Sequence, residues 1–258
     1  MKKNLSLIGL ILMSSLLISF TSCSGDSEEP LVVTPKSLSM HFEDTQQLNA
    51  DGATSWISND EFVAKVNSSG LVTGNHVGKT EIVVSDGNRT TTCDVTITPE
   101  YYLYDDPILE WGTSKSIIES SEKHEKATSS SADVLTYNYS FGTNACAMGY
   151  SFENGKLKSV MAMMAYSLYL KTGYYLLERY QPIASGNDYD YLLVDALKPE
   201  KCKNAIYFRS YTSGKNTYTT VMYMDYSSLS SSKTRSSQVY NEEFEKMQEE
   251  LVNILKNK

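Results

Sequence analysis

Alternating apolar and polar positions fill the chain from residue 31 to residue 98. Short runs with this period of two, such as residues 62–66 and 80–84, are interrupted by Gly, Asn, Asp or Pro about every ten residues. Short strands separated by regular turns are typical of an all-β sandwich. We therefore predict a first domain of this kind at residues 31–98, with a hairpin turn at Asp86-Gly87.

Two helical patterns separate groups of strand-like segments between residues 101 and 226. The predicted helices cover residues 114–126 and 166–180. The apolar stripe of the second helix consists of Leu170, Tyr174 and Leu177. The predicted strands are residues 134–141, 145–152, 156–164, 189–196, 205–211 and 218–226. This order predicts an α+β domain at residues 101–226, in which helices pack on an antiparallel sheet, and it allows an internal repeat.

A Ser-rich stretch and a last amphipathic pattern follow this second domain. Residues 227–240 predict a linker, and residues 241–258 predict a C-terminal amphipathic helix. The apolar face of that helix consists of Phe244, Met247, Leu251, Ile254 and Leu255. Because an isolated helix of this length is marginally stable in water, we expect it to dock on the sheet of the second domain or on a partner.

The first 22 residues have the pattern of an export signal. Lys2 and Lys3 precede an apolar stretch at residues 5–20, and two small polar residues follow it. The stretch is shorter than the ~20 apolar residues that a membrane-spanning helix needs. We therefore predict that residues 1–22 are a signal peptide and do not belong to the fold.

Cys23 directly follows this segment and resembles the lipid-bearing cysteine of the bacterial lipoprotein lipobox. The resemblance implies that Cys23 is acylated and becomes the first residue of the mature chain, anchoring it to a membrane. Phe20 stands where the lipobox usually has Leu, which is a departure from the motif. Cleavage after Thr21, which would give a secreted protein, and a retained anchor are the alternatives.

Residues 23–30 are predicted to form a lipidated acidic tether. The stretch SGDSEEP at residues 24–30 is polar and acidic, as in a flexible linker. It resembles the acidic export tag that follows the lipid-bearing cysteine in surface lipoproteins of Bacteroidota. This resemblance implies a lipid-anchored protein of the outer membrane, displayed at the cell surface, with the periplasmic face as the alternative.

The first domain is similar to the bacterial immunoglobulin-like group 2 domain (Big_2). The similarity rests on WISNDEFVAKVNSSGLVTG at residues 56–74, on GKT at residues 78–80 and on VTPKSL at residues 33–38. It implies an Ig-like sandwich that acts as a spacer or adhesive module in cell-surface proteins, without catalytic residues. Trp56 is expected to be buried between the sheets. Glu43 begins a turn where the family usually has Gly.

The second domain has a weaker resemblance, to small helix-plus-sheet domains of envelope lipoproteins. It rests on Gly-Thr-Ser at residues 112–114 and on YSFENGKL at residues 150–157. It supports the α+β prediction and implies no function.

The charge of the chain excludes one class of partner. The formal net charge is −8, and removal of Lys2 and Lys3 with the signal peptide makes it −10. An acidic chain without a Lys/Arg cluster is a poor nucleic-acid binder. It also has no polybasic stretch to hold an anionic membrane, so membrane attachment would depend on the lipid.

Cysteine and histidine positions give no metal or cofactor site. Cys93 alternates with apolar residues and is predicted to be a small buried hydrophobe. Cys146 and Cys202 lie in the second domain, where a disulfide between them is an option. There is no CxxC motif, and the three histidines, His41, His76 and His124, are isolated and are predicted to be solvated.

Several motifs resemble catalytic sequences without their context. Residues 74–80 have three residues between glycines where a phosphate loop needs four. The S-x-x-K at residues 120–123, K-T-G at 171–173 and S-x-N at 185–187 occur in a different order from that of penicillin-recognising enzymes, and Lys171 lies in a predicted helix. The acid pairs Asp105/Asp106 and Asp188/Asp190 are expected to cap turns. We predict that the protein is not an enzyme; a hydrolase of unknown type is the least favoured alternative.

Tyrosine is the remaining functional signal, with 19 residues in the chain. The tyrosines on or beside predicted strands are Tyr101, Tyr102, Tyr104, Tyr137, Tyr139, Tyr189, Tyr191, Tyr218, Tyr223 and Tyr226. They predict either cross-strand pairs on a half-exposed sheet or a platform for a glycan or a host protein. Two functions follow: an Ig-like stalk that presents a ligand-binding domain, or an assembly partner that holds another envelope protein through its last helix.

Overall fold

The computed structural model describes residues 29–127, 132–186, 190–231 and 247–256. Leu31–Lys258 form one compact unit, and β-strands make up most of its regular structure. Within the described ranges, no helix has both the length and the apolar character needed to cross a bilayer. The predicted signal peptide and Cys23 lie outside the described residues.

Two small sheets in the first half of the chain share one hydrophobic core. Their strands are β1 (Ser37–Met40), β2 (Thr45–Gln47), β3 (Ser55–Ser58), β4 (Ala64–Val66), β5 (Leu71–Gly74), β6 (Gly78–Ser85) and β7 (Thr90–Ile97). One sheet has the order β1-β7-β6-β3 and the other β2-β5-β4. Val72 of β5 packs in one buried cluster with Ile82 of β6 and Val95 of β7. The all-β arrangement predicted from the period-two alternation is confirmed.

Trp56 differs from its prediction, because its side chain is half-buried rather than enclosed between the sheets. Its ring lies against Gly70, where an added Cβ would come within 3.0 Å of the ring and 2.8 Å of the Leu48 carbonyl oxygen. Gly70 also has a φ of +83°, which favours glycine. Aliphatic side chains such as Ile82 and Ile97 are fully buried in the core, and the Trp56 ring packs against this cluster.

The turn after β1 has an unusual residue in a left-handed conformation. Glu43 has a φ of +66° at the position where the resembling family usually has Gly. A residue with a Cβ is disfavoured in this conformation by roughly 1–2 kcal/mol. The Glu43 N–H donates to the Gly74 carbonyl oxygen at 2.8 Å, and the Asp44 carboxylate accepts the His41 N–H at 2.8 Å. These bonds hold the turn, so the departure is local and leaves the sandwich intact.

The second half of the chain forms one sheet of eight antiparallel strands, with the order β12-β13-β14-β15-β11-β10-β9-β8. The strands are β8 (Glu125–Lys126), β9 (Val134–Asn138), β10 (Cys146–Glu153), β11 (Lys156–Ala165), β12 (Gln181–Ala184), β13 (Tyr191–Val194), β14 (Asn204–Ser213) and β15 (Asn216–Asp225). The helices are α1 (Lys115–Ser121), α2 (Tyr169–Leu177), α3 (Ser227–Ser231) and a C-terminal helix at residues 247–256, with 3₁₀ turns at Tyr166–Leu168 and Pro199–Lys201. A helix followed by a four-stranded meander therefore occurs twice, and the sheet is continuous through the pairing of β11 with β15.

Each face of the large sheet has its own hydrophobic cluster. On the first face, Tyr150 of β10 packs with Ile118 of α1 and Tyr175 of α2. On the second face, Ala147 of β10 packs with Leu251 of the C-terminal helix. Alternate residues of one strand therefore contact helices on opposite sides of the sheet. Even so, the helices of the described residues are few and short, and this part of the chain is β-rich.

The C-terminal helix docks on the second face, as we expected from its apolar stripe. A Cβ at Gly149 of β10 would lie 2.8 Å from the Met247 sulfur and 3.5 Å from Leu251. The helix thus packs directly over the backbone of the sheet at a glycine. Ile254 is also buried there, whereas Phe244 lies outside the described residues. The described part of the stripe is therefore covered by the sheet of the same chain.

Two helix predictions were wrong in detail. The first helix ends at Ser121 rather than at residue 126, and the short strand β8 follows it. In α2 the buried side chains are Thr172, Tyr175 and Leu176, whereas Leu170 and Tyr174 of the predicted stripe are exposed. The helix has apolar residues on both sides, so periodicity alone does not select the face that meets the sheet. Residues 227–231 of the predicted linker form α3.

Candidate functional site

Most of the tyrosines singled out from the sequence belong to the cores of the large sheet. The buried ones are Tyr104, Tyr137, Tyr139, Tyr218 and Tyr223; Tyr101 and Tyr226 are half-buried, Tyr102 and Tyr191 are exposed, and Tyr189 lies outside the described residues. Tyr137 meets Tyr150 edge to face, with ring centroids 5.8 Å apart. These rings stabilise a buried core rather than a half-exposed sheet.

A smaller set of aromatic side chains reaches solvent where α2 begins. We call Tyr166, Tyr169, Leu170 and Tyr191 the aromatic surface. Tyr166, Leu170 and Tyr191 are 50%, 73% and 48% exposed. The ring centroids of Tyr166 and Tyr169 are 5.4 Å apart. Leu170 and the two exposed tyrosines therefore present apolar area to solvent beside the half-buried Tyr169 ring.

One buried ring supports this surface from below. The Tyr169 and Tyr191 rings stack with Phe208, at centroid distances of 4.7 Å and 6.3 Å. Tyr191 is the direct partner of Phe208 in the pairing of β13 with β14, and Tyr169 is the first residue of α2. Phe208 is buried, so both tyrosine rings rest on a fixed part of the core.

A carboxylate lies within the aromatic surface. Asp190 Oδ2 accepts the Tyr169 hydroxyl at 2.7 Å and the Ser210 N–H at 3.1 Å. Burial, with a further contribution from this bond, raises the pKa of Tyr169, so the phenol stays protonated and donates. Among the described residues, no hydrogen bond to Asp190 Oδ1 is found. We predicted that Asp190 caps a turn; its carboxylate also accepts the Tyr169 hydroxyl, which that prediction did not include. Asp188, the other acid of the predicted pair, lies outside the described residues.

A second group of titratable side chains is enclosed near the end of α1. The Glu122 carboxylate accepts the Tyr139 hydroxyl, the Tyr150 hydroxyl at 2.8 Å and His124 Nδ1 at 2.6 Å. It also accepts the N–H groups of Lys123 and His124 at 2.8 Å and 3.0 Å. The His124 ring stacks on Tyr139 with centroids 3.6 Å apart. We call these five residues the Glu122 cluster.

The Glu122 cluster is built to hold a charge, not to move a proton. Burial opposes ionisation of Glu122, but its donors outweigh burial and lower its pKa to about 2. Burial, together with its polar neighbours, raises the pKa of Tyr150 well above its ordinary value, so that hydroxyl remains a donor. A carboxylate whose lone pairs are already occupied is a poor general base. The cluster joins the end of α1 to β9 and β10.

The predictions for histidine and cysteine had mixed outcomes. His41 is exposed, as expected, but His76 is buried and His124 is half-buried, so those two predictions were wrong. Cys93 is fully buried, which confirms its prediction. Cys146 is buried in the core of the first face, whereas the Cys202 thiol lies 3.5 Å from the Ala196 carbonyl oxygen, and the two form no disulfide.

Two hydroxyl groups of the enzyme-like motifs, those of Ser120 and Thr172, are bonded within their own helices. Lys171 lies in α2, as predicted. The Thr172 hydroxyl donates to the Leu168 carbonyl oxygen at 2.8 Å, and the Ser120 hydroxyl donates to that of Ile117 at 3.0 Å. These bonds satisfy the hydroxyls locally rather than presenting a nucleophile beside a base. Asn187 of the third motif lies outside the described residues.

The glycine-containing segment at residues 74–80 and the acid pair Asp105/Asp106 have structural roles. Residues 74–80 end β5 and begin β6, as the sandwich predicted, rather than forming a phosphate loop. The Asp106 carboxylate accepts the Tyr175 hydroxyl at 3.2 Å, and Asp105 lies 3.4 Å from His124 Nε2. In the described ranges, no group of His, Cys, Asp and Glu side chains has the arrangement of a metal site.

Comparison with known families identifies one part of the chain. Residues 19–97 match the family model of the bacterial Ig-like domain (group 2). The match begins within the predicted signal peptide and ends with β7. No curated protein matches the chain. The chain thus contains a bacterial Ig-like domain, of a family that is generally non-catalytic and suggests a surface or adhesion protein.

Proposed function

We propose that the protein is a non-enzymatic lipoprotein of the outer membrane, anchored at Cys23, whose aromatic surface binds a glycan at the cell surface. The Ig-like domain acts as the stalk that carries the second domain. The export pattern, Cys23 and the acidic tether support the anchor and the location. The Ig-like family supports a surface or adhesion role.

The observation that carries the binding role is the combination of exposed rings with a carboxylate. Tyr166 and Tyr191 offer apolar area, and Asp190 Oδ2 accepts the hydroxyl of the neighbouring Tyr169 at 2.7 Å. A sugar ring has an apolar C–H face and an edge of hydroxyl donors. The C–H face of the sugar can pack on tyrosine rings, and a carboxylate oxygen such as Asp190 Oδ1 can accept hydrogen bonds from the sugar hydroxyls. Because the Tyr169 and Tyr191 rings already stack on Phe208, little conformational entropy of these two side chains is lost on binding.

Charge narrows the choice of glycan. The mature chain has a net charge of −10 after loss of Lys2 and Lys3 from the −8 of the precursor. A protein of this charge repels uronic acids and sulfated sugars at low ionic strength. Asp190 adds a local negative charge at the surface itself. A neutral glycan is therefore the preferred ligand, and a host or envelope protein is the competing one.

The test is a binding screen with the soluble fragment 24–258 against neutral glycans, acidic glycans and envelope extract. We expect a neutral glycan to bind, and Tyr191→Ala or Asp190→Asn to weaken that binding about tenfold, the effect of losing ~1.4 kcal/mol. Isothermal titration calorimetry measures the change in Kd.

Tyr102→Ala is the matched control, because Tyr102 is 53% exposed and lies outside the aromatic surface. This variant should bind like the wild type. A ligand whose affinity is the same for the wild type and for Tyr191→Ala would contradict the assignment of this surface. If the wild type captures a protein and Tyr191→Ala does not, the aromatic surface remains the binding site and its ligand is a protein rather than a glycan.

A further inference from the structure

The Ig-like domain and the second domain meet at a joint with defined hydrogen bonds. The Val77 N–H, in the loop between β5 and β6, donates to the Glu178 carbonyl oxygen at 2.6 Å. The Glu178 carboxylate accepts the N–H groups of Glu100 and Tyr101 at 2.9 Å and 3.1 Å. Those two residues follow β7, so Glu178, at the end of α2, holds both the loop and the connecting segment.

Buried polar groups in this joint compensate each other. Glu178 is almost fully buried, and Arg179 Nη1 donates to its carboxylate. The Arg179 guanidinium also lies 3.9 Å from the centre of the Tyr175 ring. The charge of Glu178 is thus paired and its carboxylate hydrogen-bonded, which offsets the cost of burying it in the joint.

His76 precedes Val77 in the loop that bonds to Glu178, and it is 5% exposed. Its Nδ1 lies 2.7 Å from the Phe62 carbonyl oxygen, and its ring stacks on Phe62 with centroids 4.1 Å apart. The backbone of Tyr180, on the side of the second domain, is close enough to the ring to favour its charged form, which raises the pKa of His76 against the effect of burial. A neutral imidazole has one N–H to donate. The charged form has two, but it must hold its charge away from water.

Charged groups around His76 come from both domains. Asp60 and Lys65 of the Ig-like domain act on it in opposite directions, Asp60 favouring the charged form and Lys65 opposing it. Glu178 and Arg179 on the other side neutralise each other. Burial is the largest influence and, against the backbone contacts, lowers the pKa of His76 below 6.5.

We infer that His76 makes the joint between the Ig-like domain and the second domain an acid-sensitive latch. The ring stays neutral while the joint is closed and regains its ordinary affinity for protons when the loop at residues 75–77 is released to solvent. The stabilisation is complete above pH 6.5, the ordinary value, and is lost as the pH falls through the lower value of the closed state. Mild acid therefore loosens the contact between the domains.

The experiment follows fragment 24–258 by small-angle X-ray scattering and by NMR titration of its histidine rings. We expect the radius of gyration to increase between pH 7.5 and pH 5.0 as His76 charges, with a ring titration midpoint below 6.5. His76→Gln should abolish the change with pH whether its joint is closed or open, because glutamine does not titrate. His41→Gln, which alters an exposed histidine of the same domain, should respond like the wild type.

Three results would overturn the latch. The first is a wild-type radius of gyration that is unchanged over this pH range. The second is a His76 ring that titrates at or above 6.5. The third is a response to pH that persists in His76→Gln. The NMR midpoint is measured on the unaltered sequence, so it decides the question even where the variant is poorly folded.

Discussion

Leu251→Asp is expected to unfold the second domain or to detach the C-terminal helix. Leu251 is fully buried against the second face of the large sheet, among Ala147, Met161 and Met247. A carboxylate there would have neither water nor a cationic partner within that cluster. An uncompensated buried charge destabilises a protein by roughly 3–5 kcal/mol, a large part of a typical stability of ~5–15 kcal/mol.

Thermal unfolding followed by circular dichroism measures this effect. A loss of this size corresponds to a fall in Tm of about 10 °C for a protein of this length. Asn253→Asp is the matched control, because Asn253 is exposed on the same helix and receives the same charge. Its Tm should stay close to that of the wild type. Equal Tm values for Leu251→Asp and Asn253→Asp would show that the helix is not docked.

Glu122→Gln is expected to destabilise the second domain by about 3 kcal/mol at neutral pH. A pKa of about 2 against the ordinary 4.5 corresponds to a free energy of this order. The amide keeps one acceptor but places an NH₂ group where hydroxyl donors of Tyr139 and Tyr150 point, so at least one buried hydroxyl loses its partner. Urea unfolding at pH 7 measures the change.

The loss of stability in Glu122→Gln is expected to change with pH in one direction. Because the folded state lowers the pKa of Glu122, its contribution is complete above pH 4.5 and is lost as the pH falls towards about 2. Glu122→Gln should therefore differ most from the wild type near neutrality and approach it in strong acid. Glu110→Gln, which changes an exposed glutamate, should follow the wild type throughout. A constant difference between Glu122→Gln and the wild type from pH 7 to pH 2 would contradict the role of the charge.

The sandwich could be predicted from the sequence because its signals are local. Alternation in β6 and β7 places Ile82 and Val95 in the core, and the turn at Asp86-Gly87 joins these two strands. Both features depend on residues that are close together in the chain. Trp56 was less predictable, since its exposure depends on how closely Gly70, fourteen positions later, approaches its ring.

Local sequence pattern could not predict which face of α2 is buried or which residues form the aromatic surface. The helix has apolar residues on both sides, and its contact with the sheet selects Tyr175 rather than Tyr174 for burial. The abundance of tyrosine indicated a platform but not its members. Tyr191 belongs to it because β13 pairs with β14 in the register that places it beside Phe208, and periodicity does not specify that register.

The Glu122 cluster and His76 were missed for a related reason. Glu122 meets Tyr150 across 28 positions of the chain, and His76 is buried in a loop that bonds to Glu178, about 100 positions later. An isolated His or Glu in a sequence is usually solvated, so nothing near either residue distinguishes it. Contacts between distant segments, rather than composition, give these side chains their roles.

The proposed anchor is tested most directly by mass spectrometry of the N-terminal peptide from the membrane fraction of cells that produce the protein. We expect a lipidated Cys23 as the first residue, since several acyl chains, at about 0.8 kcal/mol per buried CH₂, make release from the membrane negligible. Cys23→Ala should move the protein to the soluble fraction or leave it as the uncleaved precursor, with an unchanged fold. An unmodified N-terminus at Ser22 or Cys23 in a membrane-free extract would contradict the account and leave a secreted protein.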